Sequence, residues 1–174
     1  VRNSETHALH VKRVLDRVDV NGISTKRFKV VLDSVNGAGC VATATLLNKL
    51  GCQLVHLNAT PDGQFPHEPE PIAANLTGLA TEVKRQRAVV GFAQDPDADR
   101  LAIVDENGTY IGEEYTLALC TLARMMVKPV AVVANLSTSR MVDDIAAKFG
   151  QKVYRTPVGE ANVAGKMQEL AAAG

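Results

Sequence analysis

Residues 28–57, "FKVVLDSVNGAGCVATATLLNKLGCQLVHL", contain the patterns that indicate the fold class of this protein. Its apolar, β-branched beginning at 28–32 predicts a buried strand, and the Ala-, Thr- and Leu-rich run at 40–50 predicts a helix that ends at Gly51. A second short strand is predicted at 53–57. A strand, a helix and a strand in this order imply a β-α-β unit, in which a right-handed crossover joins two parallel strands.

The alternation of strands and helices continues along the chain. Residues 76–87 have helical periodicity, and the near-continuous apolar run at 88–93 is typical of a strand buried on both faces. Residues 101–104 and 109–111 flank "DENG" and predict a hairpin. The other predicted elements are the helices 113–126, 140–149 and 161–172 and the strands 130–135 and 152–155. We therefore expect the α/β class: a three-layer α/β/α domain with a mixed, mostly parallel sheet, followed by a partial second α/β domain.

Three segments are expected along the chain. Residues 1–23 form a leading helix and linker, because apolar residues from Ser4 to Val18 fall at helical spacing and Ser4 suits a helix cap. Residues 24–127 form the full domain, with a boundary near Val127, and residues 128–174 begin a second domain. This last segment has too few strands for a core of its own, so we expect that the remainder of its domain is absent and the chain is truncated.

The charge balance and the composition limit the partners and the cellular location. Nineteen basic and nineteen acidic residues cancel, so neither nucleic acid nor an anionic membrane is a favoured partner. No apolar run approaches the roughly 20 residues needed to cross a bilayer, and the N-terminus lacks the apolar core of a signal peptide, so we expect a cytoplasmic protein. Three cysteines without a CxxC pair and four histidines without zinc-ligand spacing predict reduced, mostly buried thiols and surface histidines.

An acidic cluster follows the strand predicted at 88–93. The sequence "QDPDADR" places Asp95, Asp97 and Asp99 at alternate positions, with Arg100 directly after them. Two carboxylates about 4 Å apart repel each other by about 1 kcal/mol in water, and by several times that where solvent is partly excluded. Ligands of open α/β sheets bind beyond the carboxyl ends of the strands, so a positive partner is expected at this place.

Spacing alone leaves several interpretations of the cluster. An EF-hand calcium loop has its last ligand at Glu106, but Arg100 stands where that loop needs glycine, and strands flank the segment. The strand-end Asp-x-Asp of aspartyl-phosphate phosphatases, with one nucleophilic carboxylate, leaves Asp99 and Arg100 unexplained. A solvated acidic turn with a tethered arginine stays open as the structural interpretation.

A magnesium site accounts for all four charged residues. Mg²⁺ takes oxygen ligands at about 2.0–2.1 Å in an octahedron and usually leaves room for phosphate oxygens. Alternate residues of an extended loop can converge on one such ion. Arg100 would then face the phosphate, because the fork of its guanidinium suits phosphate oxygens. In this interpretation Asp95, Asp97 and Asp99 are the ligands of a Mg²⁺ ion, and the solvated turn stays open beside it.

Two further segments carry weaker signals. Residues 37–42 fit G-x-G-x-x-A after a strand, which favours a dinucleotide site, but the acid expected at the end of the next strand is missing and Asp62 is the first one found. Close helix–strand packing is the preferred interpretation of these glycines. Residues 137–139, "STS", are interpreted as a cap for the following helix, with phosphate binding there left open.

A proline-rich segment joins the first β-α-β unit to the next helix. Residues 58–75, "NATPDGQFPHEPEPIAAN", contain four of the seven prolines of the chain. Such a sequence predicts a long irregular loop, and loops of this length in a compact domain usually cover a site or brace a neighbour.

Five motifs in fixed order resemble the α-D-phosphohexomutase family of phosphoglucomutases, phosphomannomutases and phosphoglucosamine mutases. They are "KVVLDSVNGAG", "FPHEPEP", "DPDADRLAIVDENGTYIGEEYTLAL", "NLSTS" and "RTPVGEANV". Members of that family have four domains. The resemblance implies that residues 24–127 are the metal-binding domain II and residues 128–174 are the N-terminal part of domain III.

The resemblance also implies roles for individual residues. Asp95, Asp97 and Asp99 match the magnesium ligands, and Arg100 matches a catalytic residue beside the phosphorylated serine. The family loop commonly has glycine where this chain has Pro96, which should stiffen the loop. "RTPVGE" resembles a segment near the sugar phosphate, so Arg155 and Glu160 are candidate substrate contacts.

By the same resemblance the activity is an isomerisation. A phosphoserine on domain I donates its phosphoryl group to a sugar 1- or 6-phosphate, and the resulting bisphosphate returns the other phosphate. The resemblance therefore implies a phosphosugar substrate. The phosphoserine context is missing from these residues, so we expect partners in domains I, IV and the rest of III, and no activity of the chain alone. The alternative is a non-catalytic metal- or nucleotide-binding α/β module.

Overall fold

The computed structural model describes residues 5–173, which alternate between helices and strands and divide into two units after Glu113. The first unit contains α1 Thr6–Leu15, α2 Val20–Ser24, β1 Lys29–Asp33, α3 Gly39–Lys49, β2 Gln53–Leu57, α4 Thr77–Gln86, β3 Val90–Gln94 and β4 Leu101–Asp105. The second unit contains α5 Glu114–Val127, β5 Val132–Asn135, α6 Met141–Lys148, β6 Val153–Thr156 and α7 Glu160–Ala173. A single 3-10 turn, Ala73–Asn75, lies in the proline-rich loop.

The first unit is organised by one sheet with the strand order β2-β1-β3-β4. β1 pairs in parallel with both β2 and β3, so Val31 stands opposite Val55 on one side and Gly91 on the other. β4 runs antiparallel to β3, because the loop 95–100 between them is too short for a crossover connection. The prediction of a mixed, mostly parallel sheet is confirmed.

Helices cover both faces of this sheet. Successive side chains of β1 point to opposite faces. Leu32 packs with Leu47 of α3 on one face, and Val31 packs with Leu79 and Val83 of α4 on the other. All five side chains are buried. α1 packs against α3. The predicted three-layer α/β/α arrangement is therefore present.

The beginning of the chain differs from the prediction. α1 ends at Leu15 instead of Val18, and the short helix α2 follows where a linker was expected. Asp19 explains the second helix, because its side chain accepts a hydrogen bond of 2.9 Å from the backbone N–H of Gly22 and so caps α2. Ser4, the expected cap of the first helix, lies outside the described residues.

The turn around "DENG" joins β4 to a short antiparallel segment, as the predicted hairpin requires. Its two sides meet in one bridge, between Val104 and Tyr110. The Asp105 carboxylate accepts hydrogen bonds from the backbone N–H groups of Asn107, at 3.0 Å, and Thr109, at 2.7 Å. The side chain of Asp105 thus satisfies two backbone donors of the turn.

The second unit is built around β5 and β6, a parallel pair in which Val132 stands opposite Val153. α7 packs against both strands. α5 packs against α6 and so lies in this unit, whereas the boundary near Val127 left that helix with the first one. The structural division therefore falls 14 residues earlier, at the start of α5.

The three cysteines are free thiols with different surroundings. Cys40 is buried, Cys52 is half-buried and Cys120 is exposed on α5, so the expectation of mostly buried thiols fails at Cys120. Burial raises the pKa of the Cys40 and Cys52 thiols.

In the part of the chain from residue 5 to residue 173, no helix has both the length and the apolar character to cross a membrane.

Candidate functional site

The three parallel strands of the first unit end in polar residues at one edge of the sheet. β1 ends at Asp33, β2 is followed by Asn58, and β3 ends at Gln94. Residues 95–100, here called the aspartate loop, begin where β3 ends, so they lie at the edge where open α/β sheets bind ligands. The sequence predicted this placement.

The structure brings Asp95, Asp97 and Asp99 together. One carboxylate oxygen from each lies within 4.8 Å of the others. Around Mg²⁺, neighbouring ligand oxygens are about 3.0 Å apart and opposite ones about 4.2 Å, as follows from bonds of about 2.1 Å. A small inward movement of exposed side chains would complete such a set, so the residues fit the ion. Asp97 and Asp95 together raise the pKa of Asp99, which reflects mutual repulsion of the carboxylates.

A tight turn makes this convergence possible. The backbone N–H of Ala98 donates to the carbonyl of Asp95 at 3.1 Å, and Ala98 has the left-handed φ of 64°. The Asp95 carboxylate accepts a further hydrogen bond from the backbone N–H of Arg100 at 3.0 Å. Asp95 is buried, while Asp97 and Asp99 are exposed. One carboxylate thus holds the loop closed, and the other two extend from it.

The glycine-rich segment after β1 lies directly beneath this loop. A Cβ at Gly37 would lie 2.5 Å from the carbonyl oxygen of Pro96, and a Cβ at Gly39 would lie 2.5 Å from the Gln94 side-chain oxygen. The backbone N–H of Ala38 donates to the Pro96 carbonyl at 2.7 Å. The glycines therefore serve close packing, as preferred from the sequence, and their partner is the aspartate loop. The Ala38 N–H that a dinucleotide phosphate would need is already engaged.

Arg100 is surrounded by carboxylates. Its Nε donates to Asp95 at 3.0 Å, and its Nη1 and Nη2 donate to the two oxygens of Glu70 at 2.6 and 3.1 Å. Glu113 approaches Nη1 at 3.8 Å. The hydrogen bond to Glu70, followed by the one to Asp95, raises the pKa of the guanidinium. Burial raises the pKa of Asp95, but hydrogen bonds from Arg100 outweigh burial and hold that pKa below its ordinary value.

Sequence reasoning missed Glu70 and Glu113 as parts of this site. The signal for Glu70 was its place in the motif "FPHEPEP", an acid between two prolines in a loop expected to cover a site. Glu113 stands in the motif "DPDADRLAIVDENGTYIGEEYTLAL", but its local spacing gave no separate signal.

Two histidines belong to a polar network at the strand ends, which corrects the expectation of surface histidines. His67 Nε2 lies 3.0 Å from the buried carboxylate of Asp33, which also accepts from the Asn58 amide at 2.8 Å. His56 Nε2 lies 2.9 Å from the Ser34 hydroxyl. The two rings were misjudged because their partners are distant in sequence.

The pKa values of the two imidazoles are shifted in opposite directions. Burial lowers the pKa of His56. Burial also acts to lower the pKa of His67, but hydrogen bonds with the Glu68 carbonyl and with Asp33 outweigh it and raise that pKa. His67 therefore holds the proline-rich loop to the end of β1 more firmly when it is protonated.

The two candidate substrate contacts lie in the second unit. The Arg155 guanidinium donates to the backbone carbonyls of Asn135, at 2.8 Å, and Thr138, at 2.8 Å, and forms an ion pair with Asp143. It borders an open depression of about 290 Å³. Glu160 is exposed at the first position of α7.

The "STS" segment precedes α6, whose N-cap residue is Arg140 without a side-chain cap hydrogen bond, so the predicted cap is met only by a contact from Ser139. The Ser139 hydroxyl accepts a hydrogen bond of 3.2 Å from the backbone N–H of Met141, the first residue of α6. The hydroxyl groups of Ser137 and Thr138 donate to the side-chain oxygen of Asn135, at 2.8 and 3.0 Å. These contacts explain all three hydroxyl residues by local structure.

Comparisons with known proteins agree on one family. A family model described as phosphoglucomutase/phosphomannomutase, alpha/beta/alpha domain II, matches residues 8–108, and the corresponding domain III model matches residues 112–174. A phosphoglucomutase/phosphomannomutase of Thermococcus kodakarensis is 43% identical over 162 residues, which cover 92% of this chain and 36% of the relative. A probable phosphoglucosamine mutase of Methanopyrus kandleri is 38% identical over 92% of this chain and 35% of its own length.

A solved structure gives the same result. A phosphoglucomutase/phosphomannomutase family protein from Burkholderia thailandensis matches with a TM-score of 0.81 and 28% identity, over 94% of this chain and 35% of that chain. This chain thus spans little more than a third of the length of the relatives it matches. The family resemblance seen in the motifs is confirmed. Because the domain II model alone matches more than half of its 174 residues, the chain belongs to the phosphoglucomutase/phosphomannomutase family.

Proposed function

We propose that this chain supplies the magnesium-binding part of a phosphohexomutase, an isomerase that interconverts sugar 1-phosphates and 6-phosphates through a phosphoserine and a bisphosphate intermediate. The observation that carries the proposal is the convergence of Asp95, Asp97 and Asp99 within 4.8 Å at the end of β3, in a chain of this family. A solvated acidic turn does not account for the close packing of Gly37 and Gly39 against the aspartate loop and the end of β3.

The three aspartates would hold the ion through one carboxylate oxygen each. Mg²⁺ bound there supplies positive charge to a phosphoryl group in transfer. Arg100 would serve the same group by hydrogen bonding: three of its five N–H donors bind Asp95 and Glu70, and one of the two that remain can donate to a phosphoryl oxygen.

Other parts of the reaction belong to the rest of the proposed enzyme. The phosphoserine, the general acid and base, and most sugar contacts would come from domains I and IV and the remainder of domain III. Arg155 and Glu160 are the proposed sugar-phosphate contacts within this chain. The cytoplasmic location expected from the sequence is part of the same proposal.

Metal binding by the chain itself tests the proposal without requiring activity. Asp97→Asn should weaken Mn²⁺ binding, measured by electron paramagnetic resonance, by about tenfold or more, since one anionic ligand is lost. Glu106→Gln is the matched control, because Glu106 is an exposed acid in the neighbouring turn. Equal Mn²⁺ affinities of the two variants would overturn the proposed site.

A complementation assay tests the division of labour. Mixing this chain with a domain I polypeptide that carries the phosphoserine, and with the remaining domains, should restore conversion of glucose 1-phosphate. The chain alone should show none. Turnover by the isolated chain would contradict the assignment of the phosphoserine to another domain.

A further inference from the structure

Three carboxylates from separate segments surround the guanidinium of Arg100. Asp95 comes from the aspartate loop, Glu70 from the proline-rich loop and Glu113 from the residue before α5. Asp95 also belongs to the proposed metal set, but Glu70 and Glu113 have no assigned role. Their placement around one side chain suggests a shared task.

Glu70 is presented by a rigid piece of backbone. Prolines occupy both neighbouring positions and fix φ there, and Pro71 is fully buried. The Glu70 carbonyl accepts hydrogen bonds of 2.8 Å from the backbone N–H of Ile72 and 2.8 Å from the Asn75 amide. The two prolines and these two hydrogen bonds thus fix the Glu70 backbone, from which the carboxylate reaches Arg100.

The proline-rich loop is also anchored upstream of Glu70. His67 binds Asp33 at the end of β1 at 3.0 Å. The loop is therefore tied to the sheet by His67 and to the aspartate loop by Glu70. An exposed ion pair between two mobile side chains contributes little, but here the carboxylate comes from a fixed frame and binds both Nη atoms.

Glu113 approaches the same guanidinium at a second place. Its Oε1 is a buried atom without a hydrogen-bond partner among the described residues, and it lies 3.8 Å from Arg100 Nη1. A buried, unpaired carboxylate oxygen is unfavourable unless a cation stands close by. Arg100 provides that cation for this one oxygen, while the Glu113 side chain as a whole is 38% exposed.

The carboxylates leave a defined part of Arg100 free for a ligand. Nε and one N–H on each Nη atom are engaged, which leaves one N–H on each Nη atom. Because these atoms are coplanar with the bonds to Asp95 and Glu70, fixing those bonds also fixes the direction in which the remaining donors point.

We propose that Glu70 and Glu113 are positioning residues, which orient Arg100 so that one of its remaining N–H donors meets a phosphoryl group beside the metal. This inference rests on the proposed function of the aspartate loop. It assigns to the proline-rich loop the task of carrying Glu70 to the site.

The first test observes Arg100 directly in this chain. The exchange rate of the Arg100 Nη–H groups, measured by ¹⁵N nuclear magnetic resonance, should rise about tenfold in Glu70→Gln, because the charge-assisted pair that these groups form with Glu70 is lost. Glu113→Gln should raise the rate less. The control is Glu82→Gln, since Glu82 also binds an arginine through two nitrogens, at 2.8 and 2.5 Å, but lies on α4.

The second test uses the complete enzyme that carries this chain. Glu70→Gln should lower kcat/KM by about tenfold to a hundredfold through misplacement of Arg100, while Mn²⁺ affinity stays unchanged. Glu70→Asp, which keeps the charge, should recover part of the loss. Glu82→Gln should behave as wild type.

Several outcomes would overturn the inference. If Glu70→Gln and Glu113→Gln leave both the exchange rate and kcat/KM like those of Glu82→Gln, the carboxylates do not position Arg100. If Glu70→Gln lowers KM for the phosphosugar, Glu70 competes with phosphate instead. Failure of the metal site itself would appear separately, as an Asp97→Asn variant with unchanged Mn²⁺ affinity and an intact Arg100 exchange pattern.

Discussion

Replacing Gly37 by alanine should displace the aspartate loop. The added Cβ would lie 2.5 Å from the carbonyl oxygen of Pro96 and 2.9 Å from its Cα. Ordinary contacts begin at 3.4 Å, so the two segments must separate by about 0.9 Å, the difference between 3.4 and 2.5 Å. Both opposing atoms belong to the backbone, so no side-chain rotation relieves the clash.

The size of the effect follows from the displacement. Binding sites keep their geometry within about 0.5 Å, and loss of a supporting contact commonly weakens metal binding by about tenfold to a hundredfold. Overpacking should also lower the free energy of unfolding by about 1–3 kcal/mol. At an ion concentration of about 100 times the wild-type Kd, Mn²⁺ should stabilise the wild type by about 2.7 kcal/mol and a tenfold weaker variant by about 1.4 kcal/mol.

The assay is a Mn²⁺ titration combined with urea unfolding in the presence and absence of the ion. Gly78→Ala is the matched control, because a Cβ at Gly78 on α4 meets nothing within 4 Å. That variant should keep the wild-type Kd and gain up to about 1 kcal/mol of stability from helix propensity. If Gly37→Ala binds Mn²⁺ as tightly as Gly78→Ala, the glycine segment does not support the aspartates.

Two further predictions concern stability. Because the pKa of His67 is raised, its bond to Asp33 stabilises the fold fully below the ordinary pKa of 6.5, and this contribution is lost as pH rises through the folded-state pKa. The difference in unfolding free energy between wild type and His67→Asn should therefore shrink above pH 6.5. A difference that stays constant with pH would contradict this prediction. His56 has the opposite sign but is present in both proteins, so it cancels. Leu79→Ala should lower the free energy of unfolding, measured in urea, by about 2–5 kcal/mol, because Leu79 of α4 is 1% exposed in the core between that helix and the sheet. Leu9→Ala, at a 52% exposed position, should change stability by less than about 0.5 kcal/mol, and equal losses would argue against this core.

Local sequence patterns predicted most of the fold. β1, α3 and β2 lie within one residue of the expected bounds, because their apolar runs, their length and Gly51 all signal locally. α2 was missed because five residues with a central glycine show no helical periodicity. The extra helix depends instead on the single cap by Asp19.

The candidate site was only partly visible in the sequence. The spacing of the three aspartates and their place after a buried strand were local signals, and the structure brings these side chains together. The Glu70–Arg100 pair joins residues 30 positions apart, and the His67–Asp33 pair joins residues 34 apart. Pairs of this kind arise from the path of the loop through space, which periodicity and spacing do not describe.

The antiparallel pairing of β3 with β4 restricts how the aspartate loop can vary in length. Gln94 pairs with Leu101, so the strands close the loop immediately on both sides. Ala102 and Val104 are fully buried on one face of β4, and sliding this strand by one position would turn both of them to the opposite face. An inserted or deleted residue therefore has to be absorbed among the aspartates themselves, which would break their alternation, so variation between homologous loops should take the form of substitutions.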